Sequence, residues 1–276
     1  MTVLIPVVRF DRSGLQTSRL AFGLSRIHYL SSTRERQNLL ARAADLGIRH
    51  FDAARSYGDG LAEAALGRFL SGRRSSFIVA TKFGFAANRL IEAAPWAAQP
   101  IRALRSVVRR AGLGSATYPM LTSTSLRTSV EHSLRALQID YIDILFLHEP
   151  SLVRLVEAES LLAEVGRQKS KGAIRFIGLA GGWMQTVEIA RSLPALADVV
   201  QVPEGDWSDA ELVPDLTFGV LRRGPQSVFE GTLESGLVLK RLEEALRRRE
   251  NGSVVVSTTR IDHLDLLASV ASGFAP

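Results

Sequence analysis

Four polar side chains with complementary acid–base chemistry follow short apolar segments of this sequence. Asp52 and Tyr57 occur in FDAARSYGDG, Lys82 occurs in VATKFG, and His148 occurs in LFLHEP. A phenol can donate a proton, but its ordinary pKa of ~10 is too high for efficient donation near neutral pH. A lysine ammonium beside the phenol lowers that pKa, and an aspartate keeps the lysine charged and in place.

This set of groups suits the reduction of a carbonyl to an alcohol. Hydride addition leaves an alkoxide, so the oxygen must receive a proton as the hydride arrives. We predict that Tyr57 is this acid, that Lys82 and Asp52 tune it, and that a neutral His148 orients the carbonyl oxygen. Taken singly, a strand-end aspartate is often a helix cap, and a lone histidine is more often a core residue.

The segments that carry these residues belong to a regular alternation of apolar and amphipathic stretches. Stretches such as 31–47 and 125–138 have helical spacing. Between the amphipathic stretches lie eight apolar segments short enough for buried parallel strands, at 20–24, 50–54, 77–83, 142–149, 174–180, 198–202, 216–221 and 253–259.

The alternation predicts an α/β protein built from right-handed βαβ units. Eight strands favour a closed (β/α)8 TIM barrel, although an open doubly wound sheet remains the alternative on strand number alone. In a barrel the carboxyl ends of the strands line the active-site mouth, which would bring the four polar residues together. Residues 7–20 predict a β-hairpin before the first barrel strand, with its turn at 12–14.

Two connections are longer than the others, at 85–123 and 203–215. Connections of this length are usually functional loops or lids, and the first is predicted to contain a short helix around 101–111. No repeat, low-complexity tract or linker divides the sequence. We therefore predict that residues 1–276 form one domain.

The composition restricts the possible partners and surroundings. A hydrophobic content of 46% argues against disorder, and no apolar run approaches the ~18 residues of a membrane helix. The net charge of +6 comes from scattered arginines, which do not form a nucleic-acid-binding stripe. Because cysteine is absent and the N-terminus does not resemble a signal peptide, we expect a cytoplasmic protein with a small-molecule substrate.

The motifs D-x-A-x-x-Y-G at 52–58, T-K at 81–82 and L-H at 147–148 resemble the tetrad of the aldo-keto reductase family. They occur in that family's order and on its strands, and the resemblance runs from the hairpin to STTRIDHL. FDAARSYG and LFLHEP are most similar to bacterial members of aldose-dehydrogenase or general oxidoreductase type. The resemblance implies an NADP(H)-dependent oxidoreductase that interconverts an aldehyde or ketone, including sugar-like compounds, and its alcohol.

The resemblance also implies a cofactor that lies across the barrel mouth, with its adenosine phosphate after the eighth strand. Arg260 matches the family's phosphate-binding arginine. A bound 2′-phosphate would offset the cost of a cation at a helix start, which favours NADPH over NADH. No G-x-G-x-x-G fingerprint follows a strand, so a Rossmann mode is not supported. The other positions implied as cofactor contacts are Gly23, Leu24, Asp52, Ala180, Gln201, Ser257, Thr258 and Thr259.

Several cofactor positions depart from the family pattern. Residues 177–182 read IGLAGG where the family has a serine and an asparagine for the nicotinamide carboxamide, so that Gln201 is the remaining partner. Phe218 is not at a clear stacking position, and residues 265–267 lack the acid and amide that bind adenine. These departures keep open a non-catalytic, cofactor-sensing or regulatory barrel, whereas the intact Tyr57 and Lys82 favour an enzyme.

Substrate contacts are indicated only by residue type and position. Aromatic loop residues suit an apolar or sugar-ring substrate, but they could equally anchor the loops, and Glu149 could equally cap a helix. A metal-dependent hydrolase would need several histidine and carboxylate ligands at strand ends, and only His50 and His148 lie near strands, so we expect no metal site. The candidate substrate contacts are Phe85, Trp96, Tyr118, Glu149 and Trp207.

Overall fold

Eight parallel strands close into a barrel, because the last barrel strand along the chain pairs with the first. A computed structural model describes residues 4–86, 119–208, 212–221 and 236–274. Val255 pairs with Ala21 across the closing seam. This closure confirms the predicted (β/α)8 barrel and excludes the open doubly wound sheet.

A two-stranded antiparallel hairpin precedes the barrel, as predicted. It consists of β1 (Val7–Arg9) and β2 (Gln16–Ser18). The barrel strands are β3 (Leu20–Gly23), β4 (His50–Asp52), β5 (Ile78–Phe83), β6 (Ile142–His148), β7 (Ile174–Ala180), β8 (Val199–Pro203), β9 (Leu216–Phe218) and β10 (Ser253–Val256).

The described residues form seven α-helices, which pack around the strands. They are α1 (Thr33–Asp45), α2 (Leu61–Leu70), α3 (Ser123–Leu137), α4 (Ala158–Ser170), α5 (Trp183–Ser192), α6 (Gly236–Arg248) and α7 (Ile261–Ser272). The helix predicted at 101–111 lies outside the described residues, as does most of the connection at 85–123. No helix in the described ranges is both long and apolar enough to cross a membrane.

Local sequence explains where the first helix begins and which face it buries. Ser32 accepts a hydrogen bond from the Glu35 amide at 3.1 Å, and the Glu35 carboxylate accepts one from the Ser32 amide at 2.8 Å. This reciprocal capping satisfies two amides that a helix start leaves without intrahelical partners. Leu39, Leu40 and Ala43 are buried on one face against the barrel, as their spacing predicts.

The hairpin packs against the interior of the barrel at the amino ends of the strands. Val8, Phe10 and Leu15 are buried in one cluster with interior strand residues such as Ala21 and Phe146. Filling this end with apolar side chains leaves the opposite end, where the strands finish, for polar side chains. The fold thus determines which ends of the strands can carry chemistry.

Candidate active site

The closed barrel brings the ends of three neighbouring strands to one side of the mouth. Asp52 ends β4, and Lys82 is the residue before the end of β5. His148 ends β6 and pairs with Ala180 at the end of β7. Tyr57 reaches the same place from the connection between β4 and α2, and its ring packs against the core. The four residues that the sequence selects therefore lie together.

Asp52 and Lys82 form a buried ion pair, and each side chain is about 3–5% exposed. The Lys82 ammonium also donates to the Ala53 carbonyl at 3.1 Å, and Gln201 Nε2 donates to the second Asp52 oxygen at 3.3 Å. Such additional hydrogen bonds offset part of the desolvation cost of burying two charges. Burial opposes the charged form of Lys82, but Asp52 and Tyr57 outweigh it and raise the pKa of Lys82.

The Tyr57 phenol is subject to two opposing effects. Burial raises the pKa of Tyr57, whereas the Lys82 charge and a hydrogen bond with Lys82 lower it. Lys82 thus acts in the expected direction, but burial outweighs it and the net pKa of Tyr57 lies above its ordinary value in the protein alone. The physical reason is that the buried site disfavours a phenolate more strongly than one ammonium, itself paired with Asp52, favours it. Tyr57 is therefore protonated at neutral pH.

His148 presents its ring to the mouth between two aromatic residues. Its ring centre lies 6.0 Å from that of Tyr57 and 5.1 Å from that of Phe85, both in edge-to-face arrangements. Burial, Lys82 and Arg154 lower the pKa of His148 to about 3. The imidazole is therefore neutral at physiological pH and can both donate and accept a hydrogen bond.

The ends of β3 and β10 approach each other closely beside these residues. A Cβ atom on Gly23 would lie 2.5 Å from Ser257 Oγ, so a larger residue at the end of β3 would require the Ser257 side chain to move. The hydroxyls of Ser25 and Ser257 are 3.4 Å apart. Buried Leu24 donates its amide to the Asp52 carbonyl at 2.8 Å and thereby links β3 to β4. This junction offers hydroxyl groups to a ligand.

The segment after β10 leads directly into α7. Thr258 Oγ1 accepts a hydrogen bond from the Arg260 amide at 3.1 Å, and Thr259 is partly buried. Arg260 occupies the cap position of α7 and its side chain is 57% exposed. Its guanidinium forms an ion pair with Asp262, which lowers the pKa of Asp262 to about 2. An anion at Arg260 would have to share it with this carboxylate.

The glycine after β7 has a steric explanation. A Cβ atom on Gly181 would lie 2.9 Å from Pro150 Cδ and 3.1 Å from Glu149 Cα. Glu149 itself adopts a left-handed conformation with φ of 49°, which brings this backbone across the end of β7. The space for a larger side chain at position 181 is thus filled by the neighbouring connection. Gln201 remains, and its buried Oε1 has no hydrogen-bond partner among the described residues.

The predicted substrate contacts lie in different parts of the structure. Phe85 contacts His148 at the mouth, and Glu149 follows His148 directly. Trp207 is 4% exposed in the cluster that contains the outer side chains of β7 and β8, and the Arg248 guanidinium lies 3.8 Å from its ring centre. The structure therefore places Trp207 as a loop anchor, away from the group around His148. Trp96 and Tyr118 lie outside the described residues.

Two contacts at this site were not predicted from the sequence. The sequence predicts Gln201 as a cofactor contact only, yet it also donates to Asp52. No sequence motif indicates Arg154, which is 5% exposed and donates to the His148 carbonyl. An arginine in a connection has no spacing pattern that would reveal such contacts. Among the described residues no group of three or more histidine or acidic side chains is placed to hold a metal ion.

Comparison with known proteins bears directly on this geometry. Residues 19–208 match the model of the Aldo/keto reductase family, a span that includes β3 to β8 and all four polar residues at the mouth. The chain belongs to the aldo/keto reductase family. This confirms the resemblance inferred from the motifs at Asp52, Tyr57, Lys82 and His148.

Several family members show how far the similarity extends. L-Galactose dehydrogenase from Arabidopsis thaliana is 28% identical over 197 residues, which cover 68% of this chain and 53% of that protein. D-threo-aldose 1-dehydrogenase from Pseudomonas sp is 29% identical over 182 residues, which cover 60% of this chain and 51% of that protein. The chain thus spans about half the length of these relatives.

The fold of the chain is also found in solved aldo-keto reductases. The aldo-keto reductase from Klebsiella pneumoniae, solved in complex with NADPH, superposes with a TM-score of 0.69 at 17% sequence identity. The superposition covers 99% of this chain and 91% of that one. At this level of identity the similarity concerns the barrel fold.

Proposed function

We propose that this aldo-keto reductase is an NADP(H)-dependent enzyme that interconverts an aldehyde or ketone and its alcohol, with Tyr57 as the acid and base. The observation that carries the proposal is the position of the Lys82 ammonium, 5.1 Å from the centre of the Tyr57 ring and paired with buried Asp52. A buried acid–base group at a barrel mouth suits proton transfer to a carbonyl oxygen.

Each of the four residues has a distinct task in this mechanism. Tyr57 donates its proton to the carbonyl oxygen during reduction, and Lys82 stabilises the phenolate that remains. Asp52 holds the ammonium of Lys82 in place. Neutral His148 donates a hydrogen bond to the same oxygen and so orients and polarises the carbonyl. In oxidation of an alcohol the phenolate form of Tyr57 accepts the proton.

The residues around the mouth fit a nicotinamide dinucleotide, which supplies or accepts the hydride when bound. The unpartnered Gln201 Oε1 suits the carboxamide, and the Ser25 and Ser257 hydroxyls offer further hydrogen bonds at the mouth. Ser257, Thr258 and Arg260 would hold the adenosine phosphate near the start of α7. Arg260 supports a preference for NADPH over NADH, and the Klebsiella pneumoniae homologue in complex with NADPH supports the cofactor class.

The substrate is proposed to be a small carbonyl compound, including sugar-like aldoses. Two of the relatives are named for galactose and aldose oxidation. Phe85 offers an aromatic edge beside His148, and the Glu149 carboxylate lies close enough to raise the pKa of Tyr57. An aromatic surface beside hydrogen-bonding groups suits the apolar face and the hydroxyls of a sugar.

A second candidate is a non-catalytic barrel that binds cofactor as a sensor. The observation that favours it is the Ala180–Gly181 pair, which has no side-chain group that could hydrogen-bond a nicotinamide carboxamide. It predicts cofactor binding without turnover. The enzyme hypothesis predicts turnover that depends on Tyr57.

Titration with NADPH and NADH, followed by tryptophan fluorescence or calorimetry, tests both candidates. Micromolar binding of NADPH, weaker binding of NADH and a further loss with Arg260→Ala support the cofactor assignment. Carbonyl reduction by the wild-type protein, and its loss in a folded Tyr57→Phe variant that still binds NADPH, support the enzyme. Failure of the folded protein to bind either nucleotide would refute the oxidoreductase proposal.

A further inference from the structure

A buried arginine organises the chain segments around His148. Arg154 ends the single helical turn Leu152–Arg154 that follows β6, and it is 5% exposed. Its Nε donates to the Pro119 carbonyl at 2.8 Å, and its Nη2 donates to the Gly84 carbonyl at 3.1 Å. Its Nη1 donates to the His148 carbonyl at 2.8 Å and also to the Glu149 carbonyl.

These carbonyls belong to three different parts of the barrel mouth. Gly84 follows β5, His148 and Glu149 are at the end of β6, and Pro119 precedes α3. A guanidinium can serve them together because its five N–H groups point outward in one rigid plane. A lysine ammonium has three donors on a flexible stem and cannot reach the same set in fixed directions.

The surroundings are shaped to accept this guanidinium. Gly84 has φ of 119°, and a Cβ atom there would lie 3.1 Å from Arg154 Nη2 and 2.9 Å from a Leu121 methyl group. Leu121 in turn donates its amide to the Arg154 carbonyl at 2.8 Å. The glycine after β5 therefore provides the space that the arginine fills.

The same guanidinium lies beside the Phe85 and His148 rings, which are proposed to face the substrate. Its central carbon is 4.9 Å from the centre of the Phe85 ring, and the Phe85 ring meets the His148 ring edge to face at 5.1 Å. A cation stacked on an aromatic ring limits the orientations of that ring. Its positive charge also lowers the pKa of His148, in the same direction as the larger effects of burial and Lys82.

We propose that Arg154 is a positioning residue of the active site, which fixes the ends of β5 and β6 so that His148 and Phe85 face the carbonyl in one arrangement. The catalytic part of this inference rests on the proposed function. Small displacements of an orienting group reduce catalysis strongly. Loss of the Arg154 hydrogen bonds should therefore lower kcat/KM for the carbonyl more than the affinity for the cofactor. Arg154 touches neither reacting atom and acts through His148 and Phe85.

The test compares Arg154→Gln and Arg154→Lys with a matched control, Arg249→Lys. Arg249 is also 5% exposed and donates to the Pro214 and Ser253 carbonyls at 2.7 and 3.0 Å, but it lies at the opposite end of the strands. All three variants should lose thermal stability. Only the Arg154 variants should lower kcat/KM for the carbonyl, by about 10- to 100-fold, with NADPH dissociation constants unchanged within about twofold. The lysine variant should lose less than the glutamine variant because it retains the charge.

A second measurement is independent of turnover. The ring C–H signals of the histidines are recorded by NMR at neutral pH, and the His148 signal is assigned by its absence in His148→Gln. Because the Tyr57 and Phe85 ring centres lie 6.0 and 5.1 Å from that of His148, its chemical shift reports how the three rings are arranged. Arg249→Lys should leave this shift at the wild-type value, whereas Arg154→Gln and Arg154→Lys should both change it, so the lysine variant serves if the glutamine variant does not fold.

The outcomes separate the inference from the proposed function. Arg154 variants whose kcat/KM and His148 chemical shift match those of Arg249→Lys would overturn the positioning role while the enzyme proposal stands. A wild-type protein that binds no nucleotide and reduces no carbonyl would overturn the enzyme proposal. In that case the His148 chemical shift still decides whether Arg154 positions the histidine.

Discussion

The Lys82 ammonium lies 5.1 Å from the centre of the Tyr57 ring at the end of the barrel, where Lys82 is buried and Tyr57 is partly buried. In this arrangement burial raises the pKa of Tyr57 while the ammonium lowers it. The phenol therefore keeps its proton at neutral pH, and its charged form has a cation beside it once the proton leaves. This relationship leads to the first two predictions.

Removing the phenol hydroxyl should abolish proton transfer and preserve the fold. General acid catalysis contributes about 10²- to 10⁴-fold, so we expect kcat of Tyr57→Phe to fall by at least about 10²-fold. The ring and its packing against the core are retained, so thermal stability and NADPH affinity should change little. Steady-state kinetics, thermal unfolding and cofactor titration measure these quantities on one preparation. Turnover at the wild-type rate would exclude Tyr57 as the acid.

Removing the charge of Lys82 should destabilise the protein because Asp52 would remain buried without its partner. Breaking a buried pair on one side costs about 3–5 kcal/mol, so Lys82→Met should lower the free energy of unfolding by about this amount. Adding Asp52→Asn should restore part of the loss, since the amide carries no charge. Urea denaturation of the wild type, both single variants and the double variant gives the coupling energy. Additive effects would contradict a direct ion pair.

Acid should destabilise the fold through His50. This residue is fully buried, its Nδ1 is 3.3 Å from Thr17 Oγ1, and burial lowers its pKa from 6.5 to about 4. The unfolded chain therefore binds the proton more readily, and stability present above pH 6.5 is lost as the pH falls towards 4. The expected loss from this residue is about 2 kcal/mol between pH 7 and pH 5.

The His50 contribution is isolated by comparison with a variant that cannot titrate. Burial raises the pKa of Asp215 to about 6, so this residue acts in the opposite direction over part of this range. The pH dependence of the wild-type unfolding free energy therefore contains both contributions. The measurement is the unfolding free energy at pH 7 and pH 5 for the wild type and for His50→Gln. An identical pH dependence in the two proteins would show that His50 is not the responsible group.

Relief of the ion pair at the start of α7 should strengthen binding of the phosphorylated cofactor. Arg260 pairs with Asp262 in the protein alone, and this carboxylate would repel a 2′-phosphate. Asp262→Asn should therefore lower the NADPH dissociation constant by about 3- to 10-fold and leave that of NADH nearly unchanged. The effect should shrink as salt is added, because both groups are exposed. Equal effects on NADPH and NADH would place the phosphate elsewhere.

Much of the fold and the identity of the central side chains could be predicted from the sequence. The alternation of apolar and amphipathic segments determines eight strands and their helices, because burial of one face imposes a period on each element. Asp52, Lys82 and His148 each stand where an apolar segment ends, so a parallel barrel necessarily brings them to one mouth. These inferences need only local patterns and one topological rule.

Other properties depend on distances that no local pattern encodes. The direction of the Tyr57 pKa follows from a balance between burial and charge, and the glycine at 181 follows from the Glu149 backbone and the Pro150 ring lying against it. The contacts of Arg154 join carbonyl groups up to 70 residues away in sequence. Carbonyls are present in every residue, so the sequence determined which side chains could react, and only the tertiary structure decided how they are held.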